Sequence, residues 1–415
     1  MRLTNPLKAP LVAALGATQV LGYGTIYYAY PILAPAVAQE FGVGEPLLFG
    51  LLSAGLLLGG LTAPFLGRLL DRIGAARVMT GGSLIMALLL ALLAMAPNLY
   101  VFGGLILLIE VLSFAVLYDA AFALLAQKRP GDTRKSITRL TLIAGFASTI
   151  FWPLSGFLVG EFGWRGTQLI FAASHLLCAA LHFWLIALPV KETPRTTGDV
   201  PPPAGPSPLM TGRVALRAFR LLGLGFALTG MAISAITVHM VEILRSLALA
   251  EVAYLAAMVM GPAQVAIRLV DATVWRHQHP LVIALISSGA ITLAIALLFL
   301  PGPASVLAFA FAMMLGAGAG LSSIVRGAVP VALFGASGLG QRLGQLAAIR
   351  SMLGATAPFL FAWAAAAYSM SWAIGAALGL AMAGLAAVLL LYRSLRRIGI
   401  VPPMLSGRGR TRVIL

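Results

Sequence analysis

Apolar stretches recur along the whole chain, separated by short polar joints. A helix needs roughly 20 residues to cross a hydrocarbon core about 30 Å thick. Runs of that length are predicted near 11–37, 46–66, 78–96, 99–126, 137–160 and 167–188. A second set follows near 217–241, 250–269, 281–300, 303–328, 344–366 and 371–392. The run 250–269 is interrupted near one end by Gln264 and Arg268. Between the two sets stands PRTTGDVPPPAGPSP (Pro194–Pro208), a proline-rich polar stretch with no apolar period, which reads as a linker. The expected fold is an all-α integral membrane protein of twelve transmembrane helices in two pseudosymmetric six-helix bundles. Its expected parts are a first bundle over 1–190, a cytoplasmic linker over 191–215, a second bundle over 216–393 and a basic tail over 394–415.

Composition narrows the class. Of 415 residues, 60% are hydrophobic and only 10% charged, against roughly 25% charged in soluble domains. A soluble globular enzyme is excluded on that ground, and so is a disordered chain, which needs low hydrophobicity and dense charge. One cysteine, Cys178, leaves neither a disulfide framework nor a cysteine-rich metal site.

The formal net charge of +16 raises the question of a nucleic-acid partner. The basic residues fall in short joints between apolar runs, so no nucleic acid is expected. If both ends of the chain are cytoplasmic, only Arg165 and Arg245 of the 28 Lys and Arg lie in outer loops, beside Glu40, Glu45, Glu161, Glu242 and Glu251. Lys and Arg are retained on the cytoplasmic side, which predicts both termini inside, in a bacterial inner membrane. The stretch after Lys8 runs too long for a cleavable signal. The arginine-rich end after Arg393 suits anionic headgroups.

The joint after the second span reads Gly67-Arg68-Leu69-Leu70-Asp71-Arg72-Ile73-Gly74-Ala75-Ala76-Arg77, and at the matching place in the second half stands Arg268-Leu269-Val270-Asp271. Pro153 and Pro358 likewise match in spans five and eleven. Paired features in two halves are the trace of a duplicated unit. The Gly67–Arg77 segment resembles the G-x-x-x-D-R-x-G-x-R loop signature of the major facilitator superfamily. That resemblance, together with the span count and the linker, covers almost the whole chain. It implies two bundles that rock about a central cavity. It also implies a conformational-switch loop made of Gly67, Arg68, Asp71, Arg72, Gly74 and Arg77, with Asp71 holding the outward-open state by contact across the bundle interface. The second copy lacks both glycines, which leaves a matching role for Asp271 in question.

Charge inside a membrane costs at least ~2.5–3.5 kcal/mol, so it faces a cavity or a partner. Glu110 and Asp119 in span four, Arg326 in span ten and Arg350 in span eleven stand out. A desolvated carboxyl near the midplane can trade a proton, which makes Glu110 the first candidate for proton coupling. Asp119, nine residues on, faces the opposite way on a regular helix and is expected to pair with a neighbour such as Arg139. Arg326 has a route to the cytoplasm by extending its side chain. Arg350 is deeper, where it could bind an anion or pair with a carboxylate as a gate.

In span one, Tyr23, Tyr27 and Tyr30 fall on one helix face. With Gln19 they offer hydroxyl and amide groups to a small polar solute or an organic acid. Span five carries Gly145, Trp152, Pro153, Gly156 and Gly160, loosely like the family's antiporter motif. Gly316, Gly318 and Gly320 in span ten suit close helix packing. His175 and His182 read as packing groups, and His239 as a pH-sensitive gate candidate. No phosphate-binding loop, clustered catalytic set or metal site is present, so no cofactor or metal is expected.

The expected function is secondary active transport by a functional monomer, with proton-coupled efflux of an arsenite-like metalloid or small organic molecule as the first reading. The span-one segment looks equally like the oxalate/formate and monocarboxylate group, which gives an organic-anion alternative. A hydrophobic drug is a third possible cargo. A non-transporting receptor or scaffold on the same fold is the alternative of another class.

Overall fold

The computed structural model describes residues 8–190, 210–247, 249–300 and 304–401. The core of the expected linker and residues 402–415 of the tail lie outside them. Among the described residues the helices form twelve rods. They are α1 (8–41), α2 (Glu45–Ile73), α3 (Ala75–Ala94), α4 (99–128), α5 (133–162) and α6 (164–187). After the linker come α7 (212–246), α8 (Ala250–Thr273), α9 (Pro280–Leu297), α10 (Ala304–Phe334), α11 (Leu339–Ala367) and α12 (Met370–Arg397). Among the described residues, nine segments are long and apolar enough to cross a membrane on their own. The segment containing α8 is not one of them, in keeping with Gln264 and Arg268 inside it.

Several rods are interrupted, and the interruptions position the polar groups. The α1 rod makes a π-helical turn at Gly24–Tyr28, where the Phe151 ring of α5 occupies the space a side chain on Gly24 would need. The α4 rod is broken at Leu117, whose extended φ −92°, ψ −161° separates an upper segment from a lower one. The join of α5 and α6 turns at Gly163 with φ 64°, a left-handed value that suits glycine. The α7 rod is bent at His239.

Rods α1–α6 pack with one another, as do α7–α12, and the two groups meet chiefly where α2 lies along α11, α5 along α8 and α10, and α4 along α11. On the face that carries Asp71 and Asp271, small residues bring backbones together. A side chain on Gly67 would strike the Gly340 carbonyl, and one on Gly344 the Ala63 carbonyl. Gly60 faces Ser351 at a distance that leaves no room for a methyl group. With few side-chain atoms between them, van der Waals contact and backbone polarity hold this seam. Within the second group, Gly316 and Gly320 sit against the backbone of α8 at Met260 and Gln264, and Gly318 against Ile291 of α9. That is the close packing expected of the glycine run.

Candidate functional site

The break in α4 governs the site. Ending a helix at Val116 leaves carbonyls without their usual partners. Gln19 of α1 donates to the Val116 carbonyl at 2.9 Å, fully buried. The lower segment restarts at Tyr118, so Asp119 lies in its first turn, where the helix field favours a carboxylate. The regular helical count from Glu110 is lost across the break. Asp119 therefore turns to the bundle interface and meets Arg350 of α11 at 3.7 Å; the expected pairing with Arg139 is corrected on this ground.

Glu110 takes a different neighbour. The residue is 2% exposed; its side chain wedges against Gly55 of α2 and its backbone carbonyl against Gly59, so that a methyl group on either glycine would collide with Glu110. Tyr27 is a close neighbour of the carboxyl, and Oε2 has no hydrogen-bond partner. The Tyr27 ring stacks on Tyr23 at 5.7 Å, and Tyr23 stands 4.6 Å from Tyr118. Arg326 of α10 donates to the Tyr23 hydroxyl at 3.1 Å and lies over the Tyr118 ring at 5.0 Å. A continuous path thus runs from a buried carboxyl through two phenols to a guanidinium in the other bundle. Arg326 points inward to this cluster, correcting the expected route to the cytoplasm: stacking and a charge-assisted bond are available at the interface.

Above Arg326 and Arg350 opens a cavity of about 690 Å³. Its walls include Phe49, Leu52 and Leu56 of α2, Phe226 and Ile233 of α7, and Pro358 of α11. Ser53, Ser234, Ser322, Ser323 and Ser351 add hydroxyls. It extends from the two arginines toward the face opposite Asp71, reaching Phe49 near the start of α2 and Val238 at the bend of α7. Of the five residues expected to line a substrate cavity, Arg326 and Arg350 line this cavity. Gln19, Tyr23 and Tyr27 do not, because Gln19 is drawn to the broken helix and the two tyrosines are stacked below the arginines. His239 sits by the mouth, its Nε2 3.1 Å from the Pro358 carbonyl and its Nδ1 3.2 Å from Glu242.

On the Asp71 face the two aspartates cross the seam. Asp71 accepts from the backbone N–H groups of Gly340 at 2.9 Å and Gln341 at 2.8 Å, at the start of α11. Gly67 lies in the close contact described above, and Gly74 adopts φ 98° between α2 and α3. Arg77 donates to the Ile73 carbonyl. Arg68 and Arg72 form no ion pair among the described residues. Asp271 is 2% exposed, accepts from Thr138 at 3.1 Å and lies 4.0 Å from Arg134, both of α5. The two missing glycines therefore do not prevent a cross-bundle contact by the second copy.

The pattern gave no sign of Tyr118, or of Arg268 as a tie that donates to the Thr141 carbonyl of α5 at 3.2 Å. Of the span-five motif, Gly145 lies against Arg268, whereas Gly156 and Gly160 face open space and Trp152 is exposed. His175 and His182 are buried against Thr25, Thr18 and Ser83, within the first bundle. Cys178 is buried. Among the described residues no cluster of metal-ligating side chains occurs.

Two helical groups closed on one face, parted on the other around a charged cavity, define the architecture of a membrane carrier. The sequence profile of the Major Facilitator Superfamily matches residues 15–313, and the chain belongs to that family. It is a multi-pass integral membrane protein of the secondary-transporter class. No curated protein sequence matches it. Among solved structures it resembles the human organic anion transporter MFSD10 (TETRAN), with 18% identity over 93% of this chain and 100% of that one, TM-score 0.69. It also resembles FucP in the outward conformation, with 13% identity over 93% and 99% of the chains, TM-score 0.65. The proton:xylose symporter XylE follows with 15% identity over 93% and 95%, TM-score 0.64. At such identities the likeness is one of fold.

Proposed function

We propose that this protein is a proton-coupled carrier of small organic anions, working as a monomer by alternating access in a bacterial inner membrane. The observation that carries the reading is the charge at the cavity floor. Arg326 and Arg350 both face the cavity, and among the described residues the one carboxylate paired with either is Asp119, on Arg350. Apolar walls accept a hydrocarbon body, while a guanidinium pair selects a carboxylate by charge-assisted bonds. The human organic anion transporter of similar fold is in keeping with this cargo.

With Lys and Arg kept inside, the Asp71 face is cytoplasmic and the cavity opens outward. Asp71 at the start of α11 and Asp271 against α5 then hold the inner face shut. An anion entering from outside competes with Asp119 for Arg350. Released from its partner, Asp119 takes up a proton, and Glu110 is linked to the same floor through Tyr27 and Tyr23. Charge at the floor is thereby kept constant while anion and proton move.

The test is flux in proteoliposomes under an imposed pH gradient, offering lactate, oxalate, arsenite and a cationic dye. Gradient-driven lactate or oxalate movement supports the reading. The cavity's serine hydroxyls favour arsenite, a polyhydroxyl solute, as the second reading. Arsenite movement without anion movement would establish that one, dye movement alone a drug carrier, and no flux at all a scaffold. Applying the gradient in both directions separates uptake from efflux.

A further inference from the structure

A second cavity, of about 230 Å³, opens on the Asp71 face between the bundles, apart from the central one. Arg134, Lys135, Thr138 and Arg139 of α5 line one side, and Asp271, Arg276 and His277 of α8 and the turn after it line the other. Four permanent cations share this small space with one carboxylate facing it. Asp271 is engaged by Thr138 and Arg134. Lys135 lies 4.0 Å from Asp132. Arg134 also donates to the Trp275 carbonyl at 3.3 Å.

Arg139 and Arg276 remain uncompensated by acid among the described residues, and they come from opposite bundles. Arg276 spends its Nε on His277 at 3.0 Å, which leaves the rest of the guanidinium for the pocket. Like charges brought together across a closed seam repel, so this face needs a counter-anion when shut. Arginine forks match phosphate oxygens in geometry as well as charge. Basic pockets between transmembrane helices on the cytoplasmic side suit anionic headgroups. The volume equals several waters at ~30 Å³ each, enough for one phosphate group with residual hydration.

The geometry points to a phosphate-binding site at this seam, held by Arg139 and Arg276 and completed only when the two bundles meet on this face. The phosphate belongs either to an anionic lipid headgroup or to a soluble ion, and recognition is the same for both. Arg139 and Arg276 are exposed side chains, so their neutral replacement leaves the packed helices intact.

Full-length protein in non-ionic detergent is titrated separately with phosphatidylglycerol and with inorganic phosphate. Phosphatidylcholine and chloride at matched ionic strength serve as controls, and binding is followed by native mass spectrometry and by the melting midpoint. At least one phosphate probe is expected to bind and raise the midpoint, and R139Q/R276Q to weaken it tenfold or more. The exposed Arg396→Gln, at the end of α12, leaves binding unchanged. Saturation by phosphatidylglycerol but not by inorganic phosphate identifies a lipid site, and the converse a soluble ligand. Equal binding to wild type and R139Q/R276Q, or no binding of either probe beyond its control, overturns the proposal. An unliganded melting midpoint matching wild type shows that the double variant is folded; should it not match, the single variant R276Q, in an exposed turn, decides with the same criterion.

Discussion

Arg350 is where sequence and structure bear most directly on function. It is held by one carboxylate at 3.7 Å and still faces the cavity, so a substrate anion can take it over. Charge-assisted bonds contribute about 1.5–3 kcal/mol, which is roughly tenfold or more in affinity. Arg350→Gln should therefore raise the half-saturating concentration of lactate in proteoliposome uptake by at least tenfold, with fold retained by circular dichroism. Glu110→Gln should leave lactate binding near wild type while cutting pH-driven accumulation at least tenfold, because the carboxyl lies behind the cavity wall. At the opposite membrane face, Arg165 and Trp164 both bond Glu40, and these bonds, Arg165's foremost, hold its carboxyl below the ordinary 4.5. A lowered folded pKa contributes stability that is complete above the unfolded value and is lost as pH falls through the lower folded one. Glu40→Gln should thus melt below wild type at pH 7, by no more than about 1 kcal/mol for so exposed a pair. The gap should close in acid below pH 4.5; a gap independent of pH would contradict the assignment.

The elements show which parts of the molecule were legible in its letters. Apolar run length located the rods, and the DR loop marked the seam, because both are local properties of the chain. The break at Leu117 was not legible: FAVLYDA contains neither glycine nor proline, and the carbonyl it frees is met by Gln19, 97 residues away. From that one break follow the reorientation of Asp119 and the recruitment of Tyr118 beneath Arg326. The π-helical turn of α1 escaped for a similar reason, since its tight fit is to Phe151 of another rod. Removing the remote partner should expose the dependence. Gln19→Leu leaves the Val116 carbonyl buried without a donor, a loss of about 1–3 kcal/mol, measurable as a lower melting midpoint. Gly67→Leu acts on a different element, forcing α2 from α11 where their backbones meet. A cysteine placed at Ser323 in the cavity should then react several-fold more slowly with an impermeant maleimide, since the seam would no longer hold the cavity open.

At the scale of the whole molecule, the cavity and the seam are two ends of one equilibrium. The glycine contacts, Asp71 on the start of α11, Arg268 on the Thr141 carbonyl and Asp271 on α5 all lie on the closed face. The parted end holds two guanidiniums beneath serines and aromatic rings. Such a molecule moves solute only if closing the upper face opens the lower one, and it couples protons only if Asp119 and Glu110 change charge during that motion. The decisive measurement is luminal pH in proteoliposomes carrying an entrapped pH dye, after lactate is added outside with no initial pH gradient and with protein-free vesicles subtracted. The account predicts a luminal pH change that rises with lactate flux in wild type and is lost in both Glu110→Gln and Arg350→Gln. Protein-mediated lactate flux that leaves luminal pH unchanged, or a pH change undiminished in both variants, would contradict it.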